Sequence, residues 1–206
     1  EALVDRQHPH DLFSELSVSY GRSLGPDAGV FVYFGFPGEP ALGPPAFMHR
    51  PSSLSNPDAP LGHHLQDSTH ITFGVLTGGA RYKGLKFDTS VFTGREPDEN
   101  RFDLDRPRFD SWSVRLSLNP SDHIAFQVSH GFLHSPEALE PDENIRRTTA
   151  SLMINRPLSQ GADWTTTFVW GVNRSSERTA THALLVASEA AFGRASVYAR
   201  IEYVQR

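Results

Sequence analysis

Residues 109–132, FDSWSVRLSLNPSDHIAFQVSHGF, constrain the fold more than any other part of the chain. Trp112, Val114, Leu116 and Leu118 share one parity, and Ser111, Ser113, Arg115 and Ser117 share the other. Asn119-Pro120-Ser121-Asp122 is turn chemistry, after which Ile124, Phe126 and Val128 alternate with His123, Gln127 and Ser129. Successive side chains on a strand point to opposite faces, so this alternation predicts a β-hairpin with one apolar and one polar face. Each arm is about ten residues long, the span a tilted strand needs to cross a bilayer.

The same alternation predicts further strands at residues 11–24, 29–36, 67–80 (Ile71, Phe73 and Val75 on the apolar parity), 81–93, 147–158, 163–173, 180–192 and 195–204. Gly25-Pro26-Asp27, Gly78-Gly79, Ser159-Gln160-Gly161 and Gly193-Arg194 read as tight turns. Residues 37–66, 94–108, 133–144 and 174–179 read as longer loops, and no segment reads as a helix. Tight and long connections therefore alternate, as in bacterial outer-membrane barrels with short periplasmic turns and longer external loops. The expected fold is an all-β, antiparallel, up-and-down transmembrane β-barrel of about ten strands in a single region covering residues 1–206. On that orientation strand one begins outside and strand ten stops outside. Bacterial barrels usually begin and end in the periplasm. The chain is thus expected to be part of a larger barrel of twelve or more strands, the alternative being ten strands with both termini outside.

Composition narrows the class. The 206 residues include no cysteine and carry a net charge of −5. Thiolate metal sites, disulfides and cysteine nucleophiles are excluded, and a nucleic-acid footprint is not expected. Hydrophobic residues are 38% of the chain, and no run reaches the roughly 18–20 apolar residues of a membrane helix. Residues 1–5, EALVD, are not the start of a signal peptide. Either a signal has been removed or the chain is a piece of something longer.

Several loop segments carry a resemblance. They are GPPAFMHRPS at 43–52, NPDAP at 56–60, DSTHITFGV at 67–75, GREPDEN at 94–100, SPEALEP at 135–141 and TTAS at 148–151. From about Gly43 onward the chain resembles a family of uncharacterised bacterial outer-membrane, porin-like β-barrel proteins. The resemblance implies a barrel in the outer membrane, with more strands flanking a region like this one. It implies no reaction or ligand.

The polar parity supplies candidate pore-lining residues: Glu15, Lys86, Asp88, Arg115, Arg147, Glu189, Arg200 and Glu202. Opposed charges around a lumen select solutes, whereas pairing with neighbours would only stabilise a narrow or plugged barrel. Four acids against four bases argue against strong ion selectivity. His49, His63, His64 and His70 offer imidazoles to a metal, although their spacing matches no closed site. Glu96, Asp98, Glu99, Asp103 and Asp105 offer oxygens to calcium without the EF-hand order, with arginines interspersed. Trp112, Trp164 and Trp170 suit an interfacial girdle. A rim hydrolase would draw on His130 with Ser129 or Ser135, or on His182, but no nucleophile elbow, P-loop or dinucleotide fingerprint is present. The functional expectation is passage or binding of small solutes, with the bilayer as partner and no cofactor. The alternative is a soluble lipocalin-like barrel with the apolar parity turned inward.

Overall fold

The computed structural model describes residues 12–56, 58–67, 71–98, 100, 102–159, 161–176 and 180–205. It is all-β, a single sheet of ten antiparallel strands in the order β1 to β10. The strands are β1 (Ser17–Ser23), β2 (Ala28–Gly35), β3 (Val75–Tyr82), β4 (Leu85–Phe92), β5 (Ser111–Ser121), β6 (Ile124–His134), β7 (Asn144–Ser159), β8 (Ala162–Ser175), β9 (Thr181–Phe192) and β10 (Ala195–Val204). Among the described residues each pairs only with its sequence neighbours, and β1 does not pair with β10. The sheet is an up-and-down meander that is not itself closed into a barrel.

Tight connections follow the odd-numbered strands and long ones follow the even-numbered strands, so all the long loops lie at one end of the sheet. Lys83, Gly161 and Gly193 take positive φ in these tight turns (52°, 77° and 62°). The Asn119-Pro120 pair is not the turn itself. It ends β5 at a register shift between Leu118 and Ser121, a bulge being a place where a sheet accepts a residue with no N–H to donate.

Gly78-Gly79 is not a turn either, but lies in the middle of β3. A Cβ on Gly79 would sit 2.4 Å from the Phe31 ring. The glycine makes room for a ring on the neighbouring strand, a close approach that looks like turn chemistry in sequence.

The predicted parity of strand three was also reversed. Residues 71–74 belong to the preceding loop, and Gly74 at φ +91° redirects the chain. Val75 is consequently buried while Leu76 is exposed.

The long connection between β2 and β3, residues 36–74, does not hang free. It lies against one face of the sheet, the covered face, and contains two 3₁₀ turns (Phe47–His49 and Pro51–Ser53) and a one-turn helix, α1 (His63–Gln66). These short helices are the exception to the expectation of none. No helix among the described residues is long and apolar enough to cross a membrane.

Leu42 of this loop is fully buried with Val75, Phe92, Leu133 and Ile145, side chains from the long-loop end of β3, β4, β6 and β7. A second cluster, Val169, Leu185 and Ala187 with Tyr198, lies on the covered face of β8, β9 and β10. Burying a leucine contributes about 1.5–3 kcal/mol, so Leu42 is an apolar anchor for an otherwise polar loop.

The opposite face of the sheet carries two continuous apolar rows. Val30, Ala80, Phe87, Leu116, Val128, Ala150, Trp170, Leu184 and Tyr203 are direct partners in register from β2 to β10. The next row is Tyr82, Leu85, Leu118, Phe126, Leu152, Phe168, Val186 and Ile201, from β3 to β10. Leu116 is 49% exposed, Phe126 and Phe168 are 42% exposed, and Leu152 is half-buried.

Candidate functional site on the loop-covered face

Small and hydroxylated residues make the covered face. One row reads Asp88, Arg115, Ser129, Thr149, Gly171 and Ala183 in direct register. Gly171 is glycine because the loop crosses it closely: a Cβ there would meet the Leu65 carbonyl oxygen at 2.1 Å.

Seven consecutive strands each extend a side chain to the loop. From β4, Ser90 Oγ accepts from Ala41 N–H (2.8 Å). From β5, Arg115 donates to Gly43 O (3.0 Å). From β6, Ser129 Oγ accepts from Gly43 N–H (2.8 Å). From β7, Arg147 donates to Asp67 O (3.0 Å). From β8, Thr167 accepts from the Ser52 hydroxyl (2.7 Å). From β9, Glu189 accepts from Ser55 N–H and Oγ–H (3.1 and 2.7 Å). From β10, Arg200 donates to Asp58 O (2.7 Å) and Glu202 accepts from Leu61 N–H (2.5 Å).

The eight residues predicted to line a pore can now be placed. Arg115, Arg147, Glu189, Arg200 and Glu202 hold the loop directly. Asp88 is buried and holds Arg115 at 2.9 Å, and Lys86 reaches the same carboxylate oxygen at 2.9 Å. Arg200 also pairs with Glu202 at 2.6 Å. Glu15 stands apart near β1, accepting from Ser17 Oγ and Tyr33 OH.

Sequence reasoning missed Arg50 and Asp67, which form a buried ion pair inside the loop. Arg50 also donates to Pro45 O, and Asp67 accepts from Phe47 N–H. Desolvating two charges costs several kcal/mol per ion, so this pair fixes the loop's shape more than it adds stability. The available signal was loop length, since a bare connection this long is uncommon in compact structure.

Beneath the loop, at the tight-turn end, lies a cavity of about 420 Å³ whose lining includes Pro51, Ser52, Asn119, His123, Asn155 and Thr165. Its walls are mostly amides, hydroxyls and small apolar groups.

The predicted histidine set does not assemble. His49 is exposed on the first 3₁₀ turn. His63 Nδ1 bonds Pro60 O at 2.7 Å, with its ring against those of Phe47 and His64. His70 lies outside the described residues. His64 reaches acidic partners, with Nδ1 3.6 Å from Glu96 Oε1 and 3.5 Å from Glu137 Oε1. Burial disfavours the imidazolium, but hydrogen bonds and attraction from Glu137 and Glu96 outweigh it and raise the His64 pKa to about 9. Asp98, Asp103 and Asp105 gather on the next loop, largely exposed, and Glu99 lies outside the described residues.

The hydrolase residues are dispersed. Ser129 faces the loop, while His130 is on the opposite face of β6, against Trp112 and Thr148. His182 stacks on Trp170 on that same apolar face. Ser135 accepts from the Arg95 guanidinium.

The fold and the site define a ten-stranded antiparallel meander with one apolar face and one polar face occupied by an inserted loop. No family model, curated protein or solved structure matches the chain.

Proposed function

We propose that this chain forms part of a bacterial outer-membrane, porin-like β-barrel, whose polar face borders a water-filled route for small solutes narrowed by residues 36–74. One observation carries the reading: two unbroken registers of apolar side chains on the face turned away from the loop. Soluble monomers rarely expose contiguous apolar area beyond a few hundred Å². A transmembrane barrel needs such a band against the acyl chains. Outward polar residues bracket the band, with Thr148 and Arg156 on either side of Ala150, Leu152 and Ile154 on β7. The lipocalin-like alternative requires the apolar parity to face inward, toward the side where Asp88, Ser90, Ser113, Ser129 and Thr149 are buried.

Hydrocarbon tolerates no unpaired sheet edge. Among the described residues β1 and β10 are the two ends of the sheet, and this reading pairs their edges with further strands of the barrel. The cavity beneath the loop is of a size that takes small solutes. The test is reconstitution of the full-length protein in liposomes, with single-channel conductance and sugar-dependent swelling as readouts. Solute flux supports the reading. A protein that is monodisperse without detergent and leaves vesicles sealed overturns it.

A further inference from the structure

We propose that His64, Glu96 and Glu137 form a zinc site that clips the inserted loop to two outer loops. The three donors come from distant segments: α1, the β4–β5 connection and the β6–β7 connection. Their ligand atoms lie within 4.8 Å of one another. The His64 nitrogen stands 3.6 and 3.5 Å from the two carboxylate oxygens. Those separations are close to the spacing of donors around a tetrahedral zinc ion: ligands about 2.0–2.1 Å from the metal stand roughly 3.3–3.4 Å apart. Imidazole with carboxylates suits this borderline cation, and the fourth position would fall to water.

The donors are also held in place. Glu96 N–H donates to Pro136 O at 3.0 Å, tying the two outer loops together. Ser135 takes positive φ and its N–H donates to Asn144 Oδ1. Asn173 donates to His64 O at 3.2 Å, fixing α1 to β8. The Arg147 guanidinium lies within electrostatic reach of both carboxylates. It already serves Asp67 O and Asn173.

A protonated imidazole meets the same electrostatic demand, so zinc must displace a proton from His64. The experiment separates the two occupants. Detergent-purified full-length protein is stripped with chelator and titrated with zinc chloride by calorimetry. One equivalent should bind, with affinity rising by up to about tenfold per pH unit between pH 6 and 7.5. His64→Gln and Glu137→Gln should each weaken binding at least tenfold, whereas His49→Ala, at an exposed position, should not. Cobalt substituted for zinc should give the visible absorption of a four-coordinate ion. If His64→Gln fails to fold, Glu137→Gln on the outer loop decides the matter. Absence of saturable binding, or wild-type binding in the variant that folds, overturns the proposal.

Discussion

Gly171 of β8 lies directly against the Leu65 carbonyl, so that a single added methyl would meet that oxygen at 2.1 Å. The contact is backbone against backbone, and neither side can yield by rotating a side chain. Gly171→Ala should therefore push α1 off the sheet, costing about 1–3 kcal/mol as overpacking does. Limited proteolysis should then cut within residues 58–67. Gly78→Ala is the control, since nothing lies within 4 Å of its Cβ position. Equal protease resistance of the two variants would contradict the packing described.

Asp88 and Arg115 bridge two strands and the loop at once. Arg115→Met should cost about 1.5–3 kcal/mol, because it removes one of the two cations on a buried carboxylate and leaves Lys86. The double variant Asp88→Asn/Arg115→Met should lose less than the sum of the singles. Urea midpoints in detergent measure this, and strict additivity would rule out the coupling.

The two faces should respond oppositely to charge. Leu116→Arg and Phe168→Arg place a cation in the apolar rows and should impair folding into vesicles by about 2–4 kcal/mol near the bilayer midplane. Thr166→Arg, further down the same face of β8, should cost less as its depth decreases. If Leu116→Arg folds like wild type into lipid, the apolar rows do not meet acyl chains.

Alkaline pH should release the outer corner of the loop in metal-stripped protein. Glu96 and Glu137 raise the folded His64 pKa to about 9, from an ordinary 6.5. A raised pKa contributes stability that is complete below about 6.5 and lost as pH rises through about 9. Hydrogen exchange at residues 61–67 should accelerate over that window in wild type and lose its pH step in His64→Gln. His64→Gln leaves Arg147, which faces the same carboxylates, in place, so loss of the step in that variant assigns it to the imidazole.

Strand number and most facing directions were legible because alternation is local: Trp112 and Ser113 declare opposite faces without knowledge of any neighbour. What was illegible depended on tertiary partners. Val75 reads as one more residue of an apolar parity, but its burial comes from Leu42, more than thirty positions earlier. Arg50 reads as a solvated loop cation until Asp67 is placed beside it. Five of the eight charges read as candidate pore-lining residues, Arg115, Arg147, Glu189, Arg200 and Glu202, bond loop carbonyls and N–H groups that no local pattern announces. The glycine pair at 78–79 misled because close packing against Phe31 and a tight turn select the same residue.

The seven strands that bond to residues 41–67 give that segment a mechanical role. A strut fastened at so many points sets the distances between its anchors, so neighbouring strands cannot splay or slide without breaking several fastenings together. The segment is in effect a template for the curvature of the sheet, and shortening it should change that curvature before it changes the other long loops.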